Sequence, residues 1–159
     1  MKPTEQTRRE FFTCAGQAAS ATALTGALAA LLQGCGGGSP TAASSVPALP
    51  RITASVGNGT ITLGIDASSP LSAAGSAVLL QSSSGLFLVA RTGQDTFAAL
   101  SATCTHEACT ITGFAGQRYV CPCHGSNFDL SGAVLMGPAS RALRQYPTAF
   151  ANNVLTITL

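Results

Sequence analysis

Two short stretches constrain this chain more than anything else in it: Cys104-Thr105-His106 and Cys121-Pro122-Cys123-His124-Gly125-Ser126. Each offers a thiol and an imidazole, and 14 residues separate His106 from Cys121. Two Cys and two His can together fill four coordination positions around a soft or borderline metal. The residue set alone leaves zinc and iron–sulfur both open. Its order, C-x-H and then C-x-x-H, is not the zinc-finger order of C-x-x-C followed by H-x-H. Whatever the fold, it has to hold two separate loops on a rigid frame.

The order is that of a Rieske [2Fe–2S] centre, in which two thiolates hold one iron and two imidazoles the other. A further cysteine stands in each loop, Cys109 and Cys123. With C-T-H-E-A-C from Cys104, C-P-C-H-G-S-N-F-D from Cys121, and G-P-A from Gly137 to Ala139, the chain resembles the disulfide-bearing, cytochrome bc-type branch of the Rieske family over roughly 50–159. The resemblance implies one [2Fe–2S] cluster held by Cys104, His106, Cys121 and His124. It implies a disulfide between Cys109 and Cys123, suited to an oxidising compartment, and a shielding loop at Gly137 and Pro138. It implies that Ser126 donates a hydrogen bond to a bridging sulfide, which raises the potential. Neutral imidazoles in place of two thiolates also raise it above that of an all-Cys cluster. Each ligand imidazole would keep one ring nitrogen near solvent, coupling reduction to protonation and touching a quinol or a redox partner directly.

Two departures from the family pattern stand out. Many high-potential members carry Tyr where this chain has Phe128, and Phe cannot donate the tyrosine's hydrogen bond to a ligand sulfur. A lower potential is expected. Quinol-oxidising members often show Leu-Gly after the first ligand histidine, where this chain has Glu107-Ala108. A charge there alters an apolar contact with a quinone pocket.

Composition excludes other classes. Charged residues make up 9% and the formal net charge is +2, so no nucleic-acid partner is indicated. Arg51, Arg91, Arg118, Arg141 and Arg144 are scattered and nearly balanced by Asp66, Asp95, Glu107 and Asp129. Both histidines belong to the two loops, so no histidine is left as a general base for hydrolysis, and no catalytic residue is assigned.

The N-terminus reads as an address. Thr7-Arg8-Arg9-Glu10-Phe11-Phe12 precedes a mildly apolar run from Ala18 to Leu32 and resembles a bacterial twin-arginine export signal. Leu31-Leu32-Gln33-Gly34-Cys35 resembles a lipoprotein box, with Cys35 as the lipidated residue; an uncleaved signal anchor is the alternative. Either route tethers the domain to a membrane on the periplasmic or extracytoplasmic side. The expected organisation is a signal or anchor region over 1–35, a Gly/Ser/Ala/Pro linker over 36–50, and a Rieske domain over 51–159 with a cluster-binding subdomain at about 103–140. A flexible linker of that length has an r.m.s. span of about 20 Å.

From Arg51 onward the pattern predicts an antiparallel all-β domain, a sandwich or small barrel with the cluster-binding part at one tip. One hairpin is expected around Gly57-Asn58-Gly59, between Ile52–Val56 and Thr60–Ile65, and a second around Ser82–Gly85. Phe97 to Ala102 leads into the first loop; a turn over Gly113 to Gly116 and a strand over Gln117 to Val120 lead into the second. Leu143 to Phe150, an Asn152-Asn153 turn and Val154 to Leu159 close the chain. The expected function is one-electron transfer as the iron–sulfur subunit of a quinol:cytochrome c oxidoreductase-like complex, with cytochrome b- or c-type partners. The alternatives are the small subunit of a periplasmic molybdenum oxidase of the arsenite-oxidase type and a stand-alone carrier.

Overall fold

The computed structural model describes residues 46–159. The twin-arginine stretch, Cys35 and the spacer up to residue 45 lie outside the described residues. The strands in chain order are β1 (Arg51–Thr53), β2 (Val56–Gly57), β3 (Thr60–Gly64), β4 (Ala77–Ser82), β5 (Gly85–Arg91), β6 (Phe97–Ser101) and β7 (Gly113–Ala115). They continue with β8 (Arg118–Val120), β9 (Asn127–Phe128), β10 (Val134–Met136), β11 (Gln145–Tyr146), β12 (Thr148–Ala151) and β13 (Val154–Thr158). There is no helix among the described residues, and so none long and apolar enough to cross a membrane. The fold is all-β.

A five-stranded sheet, β1-β4-β5-β6-β11, forms the central wall. Its strands β4 and β5 read Ala-Val-Leu-Leu and Leu-Phe-Leu-Val-Ala, apolar almost throughout, because both faces are covered. Val78, Leu80, Phe87 and Val89 pack with Ile61, Leu155 and Ile157 of a second sheet, β12-β13-β3-β2. The alternate residues Leu79, Leu88 and Leu100 pack on the other side with Cys104, Ile111, Tyr119, Cys121 and Phe128. That second core lies under the third sheet, β10-β9-β8-β7, which the chain builds between β6 and β11. Cys104 and Cys121 therefore belong to a hydrophobic core and not to a surface loop.

Four local expectations change. Only Val56 and Gly57 turn back on β3, through Asn58 and Gly59 at φ 51° and 72°, a two-residue turn of the kind that matches strand twist. Arg51–Thr53 instead joins the central sheet, pairing in parallel with β4 at Arg51↔Leu79, so the domain is not wholly antiparallel. Alternation in a three-residue strand marks a face but does not choose a partner. Gly113 is in a strand, with the turn at Gly116 and Gln117. A side chain at Gly113 would sit 3.0 Å from the Val120 carbonyl, so this glycine serves close approach of two backbones. Finally, the run from Leu143 to Phe150 breaks at Pro147: β11 pairs with β6 and β12 with β13. Proline has no N–H to continue a ladder, and the chain changes sheets there.

The spacer also ends earlier than its composition indicates. Leu49 is buried, its N–H bonds the Thr112 carbonyl at 2.8 Å, and the Pro47 carbonyl accepts from Phe114 at 2.9 Å. The last residues before Arg51 are part of the domain. Arg91 is structural as well: its guanidinium donates to the carbonyls of Leu71, Ser72, Gly93 and Gln94, and it lies over the rings of Phe97 and Phe150.

Candidate metal centre

Both cysteine loops close with the same backbone pattern. In the first, which follows β6, the Cys104 N–H bonds the Cys109 carbonyl at 2.8 Å and the Ala108 N–H bonds the Cys104 carbonyl at 2.9 Å. In the second, between β8 and β9, the Cys121 N–H bonds the Ser126 carbonyl at 2.8 Å and the Gly125 N–H bonds the Cys121 carbonyl at 3.0 Å. The residue four positions after each leading cysteine is left-handed, Ala108 at φ 55° and Gly125 at φ 71°. Glycine takes that conformation freely; alanine does so at a cost of roughly 1 kcal/mol. The same loop is thus built twice, and a common set of backbone bonds fixes the direction of each leading thiol.

The structure brings together all six Cys and His residues singled out from sequence. Cys104 and Cys121 both stand outside the disulfide and are buried, 3% and 1% exposed. Burial pushes the Cys121 thiol up, and the neighbouring Cys104 adds to the effect against the opposing pull of the Cys123 and His124 backbone. Cys109 and Cys123 form a disulfide that ties the first loop to the second. The rings of His106 and His124 meet edge to face with centroids 5.1 Å apart, and both are exposed. The arrangement is graded: two soft sulfur donors inside, two nitrogen donors at the surface.

Glu107 stands beside the imidazoles, with Oε1 3.7 Å from Nε2 of His106 and Oε2 3.6 Å from Nδ1 of His124. At such lengths and exposure these contacts contribute little to stability. The carboxylate does place a negative charge at the outermost point of the centre.

The remaining residues form a lid and its support. Ser126 is fully buried, and its Oγ accepts from the Ala139 N–H at 3.1 Å, which leaves its own O–H free to donate. Gly137 has φ 102°, and a Cβ there would lie 2.5 Å from the Cα of Ser126, so the Gly137-Pro138 loop rests directly on the second cysteine loop. Pro138 itself is exposed. Phe128 is fully buried in the same core as both free cysteines. Sequence reasoning passed over three contributors. The Thr105 hydroxyl donates to the Arg141 carbonyl at 2.6 Å, and Asn127 Nδ2 donates to the Gly125 carbonyl at 2.7 Å. Tyr119, paired across the sheet with Phe128, buries a hydroxyl with no partner, and burial keeps it a neutral phenol. Only the position of Asn127 inside C-P-C-H-G-S-N-F-D could have drawn attention to it.

This donor set fits a [2Fe–2S] cluster with two thiolate and two imidazole ligands. It supplies two thiols sheltered from water, two imidazoles reachable from it, and buried O–H donors on Ser126 and Tyr119 that sulfur acceptors can satisfy.

Comparison with known proteins agrees. A family model described as the Rieske [2Fe-2S] domain matches residues 65–147. The cytochrome b6-f complex iron-sulfur subunit of Cyanothece sp. (strain PCC 7425) is 37% identical over 60 residues, 37% of this chain and 34% of that protein. The subunit of the same name from Chlorobaculum thiosulfatiphilum is 36% identical over 61 residues, 38% of this chain and 34% of its own length. The matched part spans about a third of these curated relatives. Among solved structures, the plasma membrane Rieske protein PetC3 from Synechocystis PCC 6803 aligns with a TM-score of 0.48 at 33% identity, over 52% of this chain and 86% of that one.

Proposed function

The chain belongs to the Rieske [2Fe-2S] family, whose members carry one [2Fe–2S] cluster, and from that premise we propose that it is a membrane-tethered, extracytoplasmic one-electron carrier. In this reading Cys104 and Cys121 would hold one iron of the cluster and His106 and His124 the other. When bound, the cluster takes up and gives back one electron at a time. The chain's own residues shelter the sulfur side in the core and expose the imidazole edges as the route for electrons. The observation that carries the proposal is the buried thiol pair set against the exposed imidazole pair.

The system we infer is a quinol:cytochrome c oxidoreductase-like complex, in which an exposed imidazole accepts the hydrogen bond of a quinol and the electron passes to a cytochrome. Support comes from the similarity to cytochrome b6-f iron-sulfur subunits. Glu107 favours a second reading, a small subunit of a periplasmic molybdenum oxidase, because its carboxylate lies at the tip where an apolar quinone pocket would have to close. Twin-arginine export and lipidation at Cys35 rest on the sequence stretches that resemble those signals.

An EPR spectrum of the dithionite-reduced protein, with a redox titration across pH, tests the central claim. A rhombic Rieske signal whose potential falls as pH rises is expected. Loss of an imidazole proton from the oxidised form adds negative charge that disfavours the incoming electron. An EPR-silent protein containing zinc overturns it. Sensitivity of electron transfer to quinol-site inhibitors separates the two systems, and sensitivity of processing to globomycin tests Cys35.

A further inference from the structure

Beside the His106 imidazole lies a surface cleft of about 430 Å³ with Thr103, Thr105, Glu107, Arg141 and Arg144 also among its lining residues. Neither arginine has a carboxylate within ion-pair distance; the ion-pair contacts among the described residues are those of Glu107 with the two histidines. Asp66 and Asp129 are turned onto the serines of their own turns. Arg91, by contrast, spends its guanidinium on carbonyls. Arg144 lies over the Tyr146 ring, 4.7 Å from its centroid, and Arg141 and Arg144 thus hold positive charge without a carboxylate partner next to an exposed histidine.

The backbone that carries them is fixed. The Arg141 carbonyl accepts the Thr105 hydroxyl, one residue from His106. The Arg144 carbonyl accepts the Ser101 N–H at 2.8 Å, and Leu143 between them is buried with its N–H on the Gly132 carbonyl at 2.9 Å. Glu107 lines the same cleft and stands beside His106, so one carboxylate repels acidic groups where two guanidiniums attract them.

We propose that the Arg141–Arg144 cleft docks the acidic face of the one-electron redox protein that exchanges electrons with this domain, seating its carboxylates on the guanidiniums and its redox group against His106. The inference rests on the electron-carrier reading above. Guanidinium forks suit carboxylates, which they can engage through two parallel hydrogen bonds. A protein face suits the cleft better than a free oxyanion does: both arginines are exposed, so each isolated pair is weak, while a patch of several acids gains from steering and register together. The exchange is balanced by one electron leaving the reduced domain and one entering the oxidised partner, with no bond made or broken between them.

The test uses the intact, cluster-bearing protein, with an acidic plant-type plastocyanin as probe and a basic mitochondrial-type cytochrome c as control. Stopped-flow oxidation of the reduced protein is followed against ionic strength, and binding of plastocyanin to the oxidised protein is measured by surface plasmon resonance. On the unmodified protein, added salt should slow the acidic oxidant more than the basic one. In the double variant Arg141→Gln/Arg144→Gln, the plastocyanin rate at low salt and the plastocyanin affinity should each fall about tenfold, with the cytochrome c rate unchanged or raised. Arg141→Lys/Arg144→Lys should restore most of the loss. No preference of the unmodified protein for the acidic probe overturns the proposal. So does equal slowing of both probes, or an effect seen with ferricyanide and not with plastocyanin, which would mark a small-anion site. An unmodified protein without the Rieske EPR signal defeats the carrier reading itself, a result independent of the salt and binding data.

Discussion

Replacing Gly137 by alanine tests how the lid is seated. The position has φ 102°, a region that costs an L-residue about 1–3 kcal/mol. The new Cβ would lie 2.5 Å from the Cα of Ser126 and 3.0 Å from both the Ser126 nitrogen and the Gly125 carbonyl oxygen. All three neighbours are backbone, so no side chain can swing away; the lid has to rise until the contact reaches an ordinary van der Waals distance. Rising breaks the bond from the Ala139 N–H to Ser126 Oγ, worth about 1 kcal/mol, and uncovers part of the buried Ala139. Together these give a destabilisation of about 2–4 kcal/mol. Urea titration of the cluster-bearing protein measures it, and Pro138→Ala, at an exposed position one residue on, serves as control with a change of about 1 kcal/mol or less. A raised lid also admits water toward the buried thiols, so the EPR signal of Gly137→Ala should decay faster in air than that of the control. If the two variants match the parent to within about 0.5 kcal/mol, the lid does not rest on the second cysteine loop as described.

Other consequences are briefer. Ala108→Gly relieves a left-handed alanine and should stabilise the protein by up to about 1 kcal/mol in a thermal or urea melt, after the entropy glycine costs in the unfolded chain. Cys123→Ser opens a disulfide between residues 14 apart in sequence and should cost about 3 kcal/mol, measured against the parent with and without dithiothreitol. Phe128→Tyr should raise the potential by on the order of 50 mV, the equivalent of about 1 kcal/mol of added hydrogen bonding to the reduced form; an unchanged redox titration refutes it. Asp129 has its carboxyl held below the usual range: burial alone would raise it, but bonds from the Ser131 hydroxyl and the amides of Ala133, Ser131 and Gly132 outweigh that. Its folded pKa is depressed, so its contribution is present above the unfolded carboxylate value of about 3.9 and is lost as pH falls through the folded one. Asp129→Asn should flatten the stability profile on the acid side of pH 4, compared with the parent by urea titration.

What the sequence made legible was mostly chemical. The spacing of cysteines and histidines carried the six residues that meet at the centre, and the Ser82–Gly85 region carried a hairpin because a polar turn separates two apolar runs. Strand partners were less legible. Arg51–Thr53 and Val56–Gly57 alternate alike, yet one joins the central sheet in parallel and the other folds onto β3. Gly113 reads as a turn when its role is to let the Val120 carbonyl approach. The short strands β9 and β10 have no pattern of their own, being two and three residues held by the loops around them. The doubled loop geometry was hidden too, since the two loops place their histidines and disulfide cysteines at different offsets and share only backbone bonds.

That doubled geometry explains how a small domain can make a graded site. Each loop spends its first cysteine inward, and the two inward thiols meet in a core that also holds Tyr119 and Phe128. The central wall permits this because its alternate residues serve two cores: Val78 and Val89 support the outer sheet while Leu79 and Leu88 support the cysteines. A change on the cysteine side, at Leu79 or Leu88, should therefore disturb the centre directly, whereas a comparable loss at Val78 or Val89 acts through overall stability alone. The imidazoles stay at the surface while the disulfide, the lid and the Thr105–Arg141 bond hold the loop tips. Apolar packing sets where the sulfur donors are, and polar and covalent ties set where the nitrogen donors are.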